Sequence, residues 1–223
     1  YAYAEVISGY TSFYLGVRSV VPEAVMTVKY TNTWSSYSTE KQAAKELVDE
    51  DCVVISQHSD TVGPAAICEN AQRDIPVYHV GYNQSMTDIA PTRSLVSCCV
   101  DYSSYFEQSV YALLHDKKIE ECIDGRTYKQ DAMAGIDKGW VGILDINEAI
   151  VPKGTKEMVE DTIEKIEKGK LEVFSGPFTG VSVFDRNDKI NLNTPYKENA
   201  NSSSPSFSYV LDDVITIEKM KEE

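Results

Sequence analysis

Apolar positions along the chain alternate between helical spacing and short continuous runs, the signature of βαβ units and a parallel sheet. Residues 5–20 place Val6, Tyr10, Phe13, Tyr14 and Val17 on one helix face, and Pro22 forces the chain out of that helix. Ala24–Tyr30 then reads as a strand. Thr39 and Gln42 have the spacing of a capping box, opening a helix that buries Ala43, Ala44, Leu47 and Val48. Cys52–Ser56 is a short apolar strand, and Gly63-Pro64 starts a helix that runs to about Arg73. Further strands are expected at Pro76–Val80 and Leu95–Cys99. The helix after them should bury a stripe of Tyr102, Tyr105, Phe106, Val110, Leu113 and Leu114.

Beyond residue 116 the alternation loosens. A strand pair is predicted at Thr127–Met133 and Trp140–Leu144, and a helix at Thr155–Lys168 with Met158, Val159, Thr162, Ile163 and Ile166 inward. Its Glu- and Lys-rich outer face reads as a solvated surface with i,i+4 pairs. Residues 171–184 look extended, and Asn187–Ser206, rich in Asn, Ser and Pro, reads as a long loop or tail. The fold class is therefore α/β, a Rossmann-like parallel sheet flanked by helices.

Charge narrows the function. A net charge of −14 over 223 residues argues against nucleic-acid binding, which needs clustered Lys and Arg to neutralise phosphates. No apolar run is long enough to span a bilayer, and the opening Tyr1-Ala2-Tyr3 has no basic leader, so the chain reads as a processed or truncated piece. Five cysteines, Cys52, Cys68, Cys98, Cys99 and Cys122, cannot all pair and show no metal-finger spacing. They read as small hydrophobes, with one disulfide left open. No cofactor or metal motif is present, nor a GxSxG elbow, HExxH or phosphate-binding loop.

In open α/β sheets ligands bind beyond the carboxyl ends of the strands. That rule selects Thr31–Ser36, Gln57–Thr61, Gly81–Gln84 and Asp101–Ser103. From these the candidate ligand-binding residues are Trp34, Asn32, His58, Ser59, Asp60, Thr61, Tyr82, Asn83 and Asp101, and no residue is assigned as catalytic. Trp34 in a polar loop offers a flat face to a planar ring or a sugar. Trp140, in an apolar run, reads as core. His58, Ser59 and Asp60 are adjacent in sequence, whereas catalytic groups usually converge from separate segments. Hydrolysis of a nucleoside or ester through His58 and Asp60 is the alternative to a binding role.

The run FYLGVRSVVPEAVMTVKYTNTWSSYSTEKQAAKELVDEDCVVISQHSD resembles the second lobe of the basic membrane protein family, substrate-binding lipoproteins of bacterial ABC importers that include purine-nucleoside receptors. The resemblance covers about residues 5–115 well and the rest loosely. It implies a type I periplasmic-binding fold with two Rossmann-like lobes closing on a ligand. Residues 1–150 would form the second lobe, 151–185 a helix and strand completing or returning to a lobe, and 186–223 a polar extension, with the N-terminal lobe absent from this chain. It further implies a small heteroaromatic ligand (purine nucleoside or nucleobase), an ABC permease as partner, and an extracytoplasmic location. Membrane attachment would be through an N-terminal lipid anchor of the full-length protein. Carried over by position, Trp34 falls where the family sets an aromatic against the base, and Asp60 near a glycine of the cleft wall. Gly81 falls where a sugar-binding Asp stands, and Val100 where a supporting Lys stands. Those two departures favour a free nucleobase or another heteroaromatic, read by Trp34, Asp60 and Asn83.

Overall fold

A computed structural model describes residues 1–144 and 146–221. Helix α1 (Ala4–Val20) is followed by β1 (Met26–Lys29), α2 (Tyr37–Asp49), β2 (Val54–Ser56) and α3 (Gly63–Asn70). Next come β3 (Tyr78–Tyr82), β4 (Ser94–Val100), α4 (Ser103–Leu114), the hairpin β5 (Arg126–Tyr128) and β6 (Asp131–Met133), β7 (Val141–Leu144) and α5 (Thr155–Glu167). The chain ends in β8 (Thr179–Ser182), β9 (Lys189–Asn191), β10 (Tyr209–Leu211) and β11 (Ile215–Glu218). No described helix is long and apolar enough to cross a membrane.

The central sheet has the order β2-β3-β4-β7, parallel through β4, with β7 antiparallel at its edge. Helices α2 and α3 cover one face around Ala44, Val48, Ile55, Cys68 and Val77. Strand β1 does not join this sheet among the described residues; it pairs in parallel with β11, Met26 opposite Ile215 and Lys29 opposite Glu218. A second core packs α1 against the C-terminal strands, with Ile7, Tyr14, Phe174, Leu192, Phe207 and Leu211 at its centre. Phe174 and Phe207 stack there at 4.3 Å. Lys29, its side chain 2% exposed, ties this pairing to α2, with Nζ 3.0 Å from Glu50, 3.1 Å from Glu218 and 3.4 Å from Glu46.

Several expectations change. The cap of α2 sits earlier: Ser36 Oγ accepts from the Thr39 N–H, and the Glu40 carboxylate returns to the Ser36 N–H at 3.0 Å. Thr39 and Gln42 are thus inside the helix. The α4 stripe is overturned: Tyr102, Phe106, Val110, Leu113 and Leu114 are all exposed, Leu114 by 77%. The side of α4 that packs is the small one, Ser109 and Ala112, with Tyr105 edge-on to Trp140 at 5.6 Å. The predicted strand pair also separates. Residues 126–133 form their own hairpin, while Val141–Leu144 pairs with β4. No residue of α5 is fully buried, and its Met158 is 60% exposed. The stretch read as a polar tail supplies β9, β10 and β11 and the fully buried Leu192, Phe207 and Leu211. Its polar residues hide single, widely spaced apolar ones that carry no period; its last two residues, Glu222 and Glu223, lie outside the described region. Trp140 is core as expected, and Cys68 is fully buried, whereas the other four cysteines are half-buried and all five thiols are free.

Candidate ligand-binding face

The loops after β1, β2 and β3 are tied together at the carboxyl ends of the strands. The Asp60 N–H donates to Trp34 O at 3.0 Å, and Gln84 Nε2 donates to Asp60 O at 3.2 Å. Trp34, Asp60 and Gln84 are therefore neighbours, each exposed. Two asparagines turn the chain here in the left-handed region, Asn32 with φ 53° and Asn83 with φ 60°, a conformation asparagine tolerates better than most residues. Asn83 Oδ1 accepts from the Val100 N–H at 3.2 Å, which joins the β4 loop to the same rim. Asp101 sits further round: its Oδ1 takes the Ser103 hydroxyl at 2.5 Å and the Ser103 N–H at 2.8 Å. Those bonds, the side-chain one first, hold its carboxyl below the usual range.

Trp34 is 38% exposed and does not stand alone. The rings of Tyr1 and Tyr3 lie 5.0 Å and 5.9 Å from it, so one side of the indole is already in aromatic contact. These two tyrosines were not candidates in the sequence, where nothing links residue 1 to residue 34.

His58 lies between α1 and β3. A Cβ on Gly9 would come within 2.0 Å of His58 Nε2, so glycine is required for this approach, and the other side of the ring tilts against Tyr82 at 4.9 Å. Burial pushes the imidazole down to about 4. Among the described residues His58 makes no side-chain hydrogen bond, and none joins it to Asp60.

Ser59 and Thr61 turn inward. Glu40, 1% exposed, accepts the Ser59 hydroxyl at 2.7 Å and the Thr61 N–H at 3.1 Å, in addition to its cap bond to Ser36. Gln57 Nε2 donates to Ser59 O at 2.9 Å and Thr61 O at 3.0 Å, and Gln57 Oε1 meets His79 Nε2 at 2.7 Å. Glu40, Gln57 and His79 were not among the candidates. The signal available for them was a carboxylate placed to cap α2 and a histidine interrupting an apolar strand. Gly81, which the resemblance set at a sugar-binding position, lies inside β3 facing Ser97 and Met86, where a Cβ would come 2.2 Å from Ser97 Oγ. The residue that β3 presents at the rim is Asn83.

The face thus offers an aromatic ring, a carboxylate and amides on its rim, over a layer of buried hydrogen bonds. A cavity of about 730 Å³ lies elsewhere, between the β5–β6 hairpin and residues 198–205. Its walls set Arg126 and Lys138 beside Asp124 and Asp137 and contain no aromatic face.

A family model described as ABC transporter substrate-binding protein, PnrA-like, matches residues 1–173. A purine-binding protein of Brucella abortus is 30% identical over 173 residues, covering 78% of this chain and 45% of that protein. TsgA13 of Haloferax volcanii, which carries the name of an ABC transporter glucose-binding protein, is 31% identical over 172 residues, covering 77% of this chain and 40% of its own length. The chain thus spans less than half of either relative. Among solved structures, an ABC transporter solute-binding protein from Conexibacter woesei superposes with a TM-score of 0.53 at 14% identity, over 72% of this chain and 51% of that one, a likeness of fold.

Proposed function

This chain belongs to the PnrA-like family of ABC transporter substrate-binding proteins, and from that premise we propose that residues 1–150 form one wall of a solute-binding cleft. The ligand is a small heteroaromatic solute of nucleobase or nucleoside type. The protein binds it without turnover and hands it to an ABC permease outside the cytoplasm, anchored to the membrane by lipid at the N-terminus of the full-length protein. Residues 151–185 return the chain towards a lobe, and the opposite wall belongs to a separate lobe. The observation that carries this reading is Trp34, an exposed ring whose loop is bonded to Asp60, itself bonded to Gln84, at the carboxyl ends of β1, β2 and β3. An aromatic face with a carboxylate and amides on its edge is what a flat, nitrogen-rich ring requires. The purine-binding relative supports that class, and the relative named for glucose makes a sugar the competing probe.

Stacking on an aromatic side chain contributes about 1–3 kcal/mol per base by alanine substitution. Trp34→Ala in the full-length protein is therefore expected to weaken binding of adenine or adenosine about tenfold or more by isothermal titration. Unchanged affinity for adenine, adenosine and glucose alike would remove Trp34 from the site. Chromatography of adenosine after prolonged incubation with the protein tests the binding-only reading, because product above background would make the protein a hydrolase.

A further inference from the structure

We propose that His79 is a positioning residue for this face: with its proton on Nε2 it orients Gln57, whose amide clamps the turn that presents Asp60. His79 lies in β3, fully buried, and touches none of the exposed rim residues through a hydrogen bond. The assignment follows from donor and acceptor counting. Both protons of the Gln57 amide are used on carbonyls, Ser59 O at 2.9 Å and Thr61 O at 3.0 Å. The opposite amide orientation would point an oxygen at two oxygens. Gln57 Oε1 therefore faces His79 Nε2 at 2.7 Å, and an acceptor there needs a donor, which fixes the tautomer. The other ring nitrogen, Nδ1, is buried without a partner, as a bare acceptor in an apolar strand would be.

The two carbonyls flank Asp60, and the same turn is held from the side by Glu40 through Ser59 Oγ and the Thr61 N–H. The backbone of Asp60 is bonded in turn to Trp34 O. His79 thus sets the rim at one remove. Without it Gln57 Oε1 is a buried acceptor with no donor, and the amide can rotate away from the turn.

The effect on ligand affinity rests on the binding role proposed above, whereas the effect on the turn does not. The test uses the full-length protein, with His79→Leu of similar bulk and no donor, and His79→Gln, whose amide nitrogen reaches the Nε2 position. Nitrogen-15 spectra of the ring should show Nε2 protonated and Nδ1 bare. Amide exchange at Asp60 and Thr61 should quicken about tenfold in His79→Leu and return towards wild type in His79→Gln. Titration with adenosine should weaken about tenfold in the first and recover in the second. An Nδ1–H tautomer, unchanged exchange in His79→Leu, or a His79→Gln no better than His79→Leu would each overturn the proposal, as would altered exchange with unaltered adenosine affinity. A wild-type protein that ignores adenosine would overturn the ligand class alone, leaving exchange to decide the role of His79.

Discussion

Replacing Lys29 by methionine is expected to cost about 3 kcal/mol of stability, read as a lower urea midpoint at unchanged slope. Lys29 is the only cation within reach of Glu46, Glu50 and Glu218 among the described residues. Methionine keeps most of the apolar stem, so the loss is electrostatic. The variant leaves three carboxylates facing one another, with the Glu46 side chain only 8% exposed. Burial of Glu46 opposes its ionisation, but hydrogen bonds from Gln42, the Lys221 N–H and Lys29 outweigh it and hold its carboxyl below the usual range. Removing one partner of a buried ion group costs more than the group contributed, because the survivors stay uncompensated. The magnitude is set near the low end because Glu50 and Glu218 are 29% and 42% exposed and can turn to water. Adding Glu46→Gln to the variant should recover part of the loss, while Lys45→Met, at an exposed pair with Asp49, should leave the midpoint where it was. A Lys29→Met protein within about 1 kcal/mol of wild type would show that the cluster does not secure β11.

The second large effect is acid lability. His58 and His79 are both pushed down to about 4 by burial, from an ordinary value of 6.5. Between those values the unfolded chain takes up protons that the folded chain refuses, so stability falls as pH falls. The contribution is complete above about 6.5 and is lost as pH drops towards about 4. Two such groups give a slope of at most about 2.7 kcal/mol per pH unit inside that window. The Glu46 carboxylate begins to add to the loss only as pH falls into the ordinary carboxylate range, so the slope above pH 5 comes mainly from the histidines. Urea midpoints at pH 7, 6 and 5 should fall steadily, and His79→Gln should remove about half of the slope. A midpoint flat from pH 7 to 5 would mean that the imidazoles are solvated or paired when charged.

How much of this was legible in the sequence depends on what kind of residue carried the signal. The helices α1, α2 and α3 and strands β1 to β4 were found within a few residues because their apolar spacing is set by the elements themselves. The rule that ligands sit beyond strand carboxyl ends picked out Trp34, Asp60 and Asn83, which the structure sets at one edge of the strands. Buried polar groups were the blind spot. Ser59 and Thr61 looked like ligand groups, yet the structure commits the Ser59 hydroxyl and the Thr61 N–H to Glu40, a contact between positions 19 and 21 residues apart that no local pattern encodes. The α4 stripe failed for a different reason. Apolar residues fall on several sides of the helix, interleaved with Ser103, Ser104, Glu107, Gln108 and Ser109, so periodicity could not say which side packs, and the small residues Ser109 and Ala112 won the closer approach. The C-terminal strands were missed because Leu192, Phe207 and Leu211 are isolated in polar sequence and acquire their meaning only against α1.

That last packing has a consequence for how the protein is made. Helix α1 and strand β1 precede their partners, Phe207, Leu211 and β11, by some 190 residues. Loop-closure entropy must be overcome before such distant contacts reward it, so the apolar face of α1 gains its cover later than α2 and α3 meet the central sheet. Folding therefore runs in two acts, local and then long-range, and the interval leaves Tyr10, Tyr14 and Leu15 open to holding factors or to misassociation. A chain that stops short of residue 207 never reaches the second act, and its central sheet could be well made while its first helix remained unfinished.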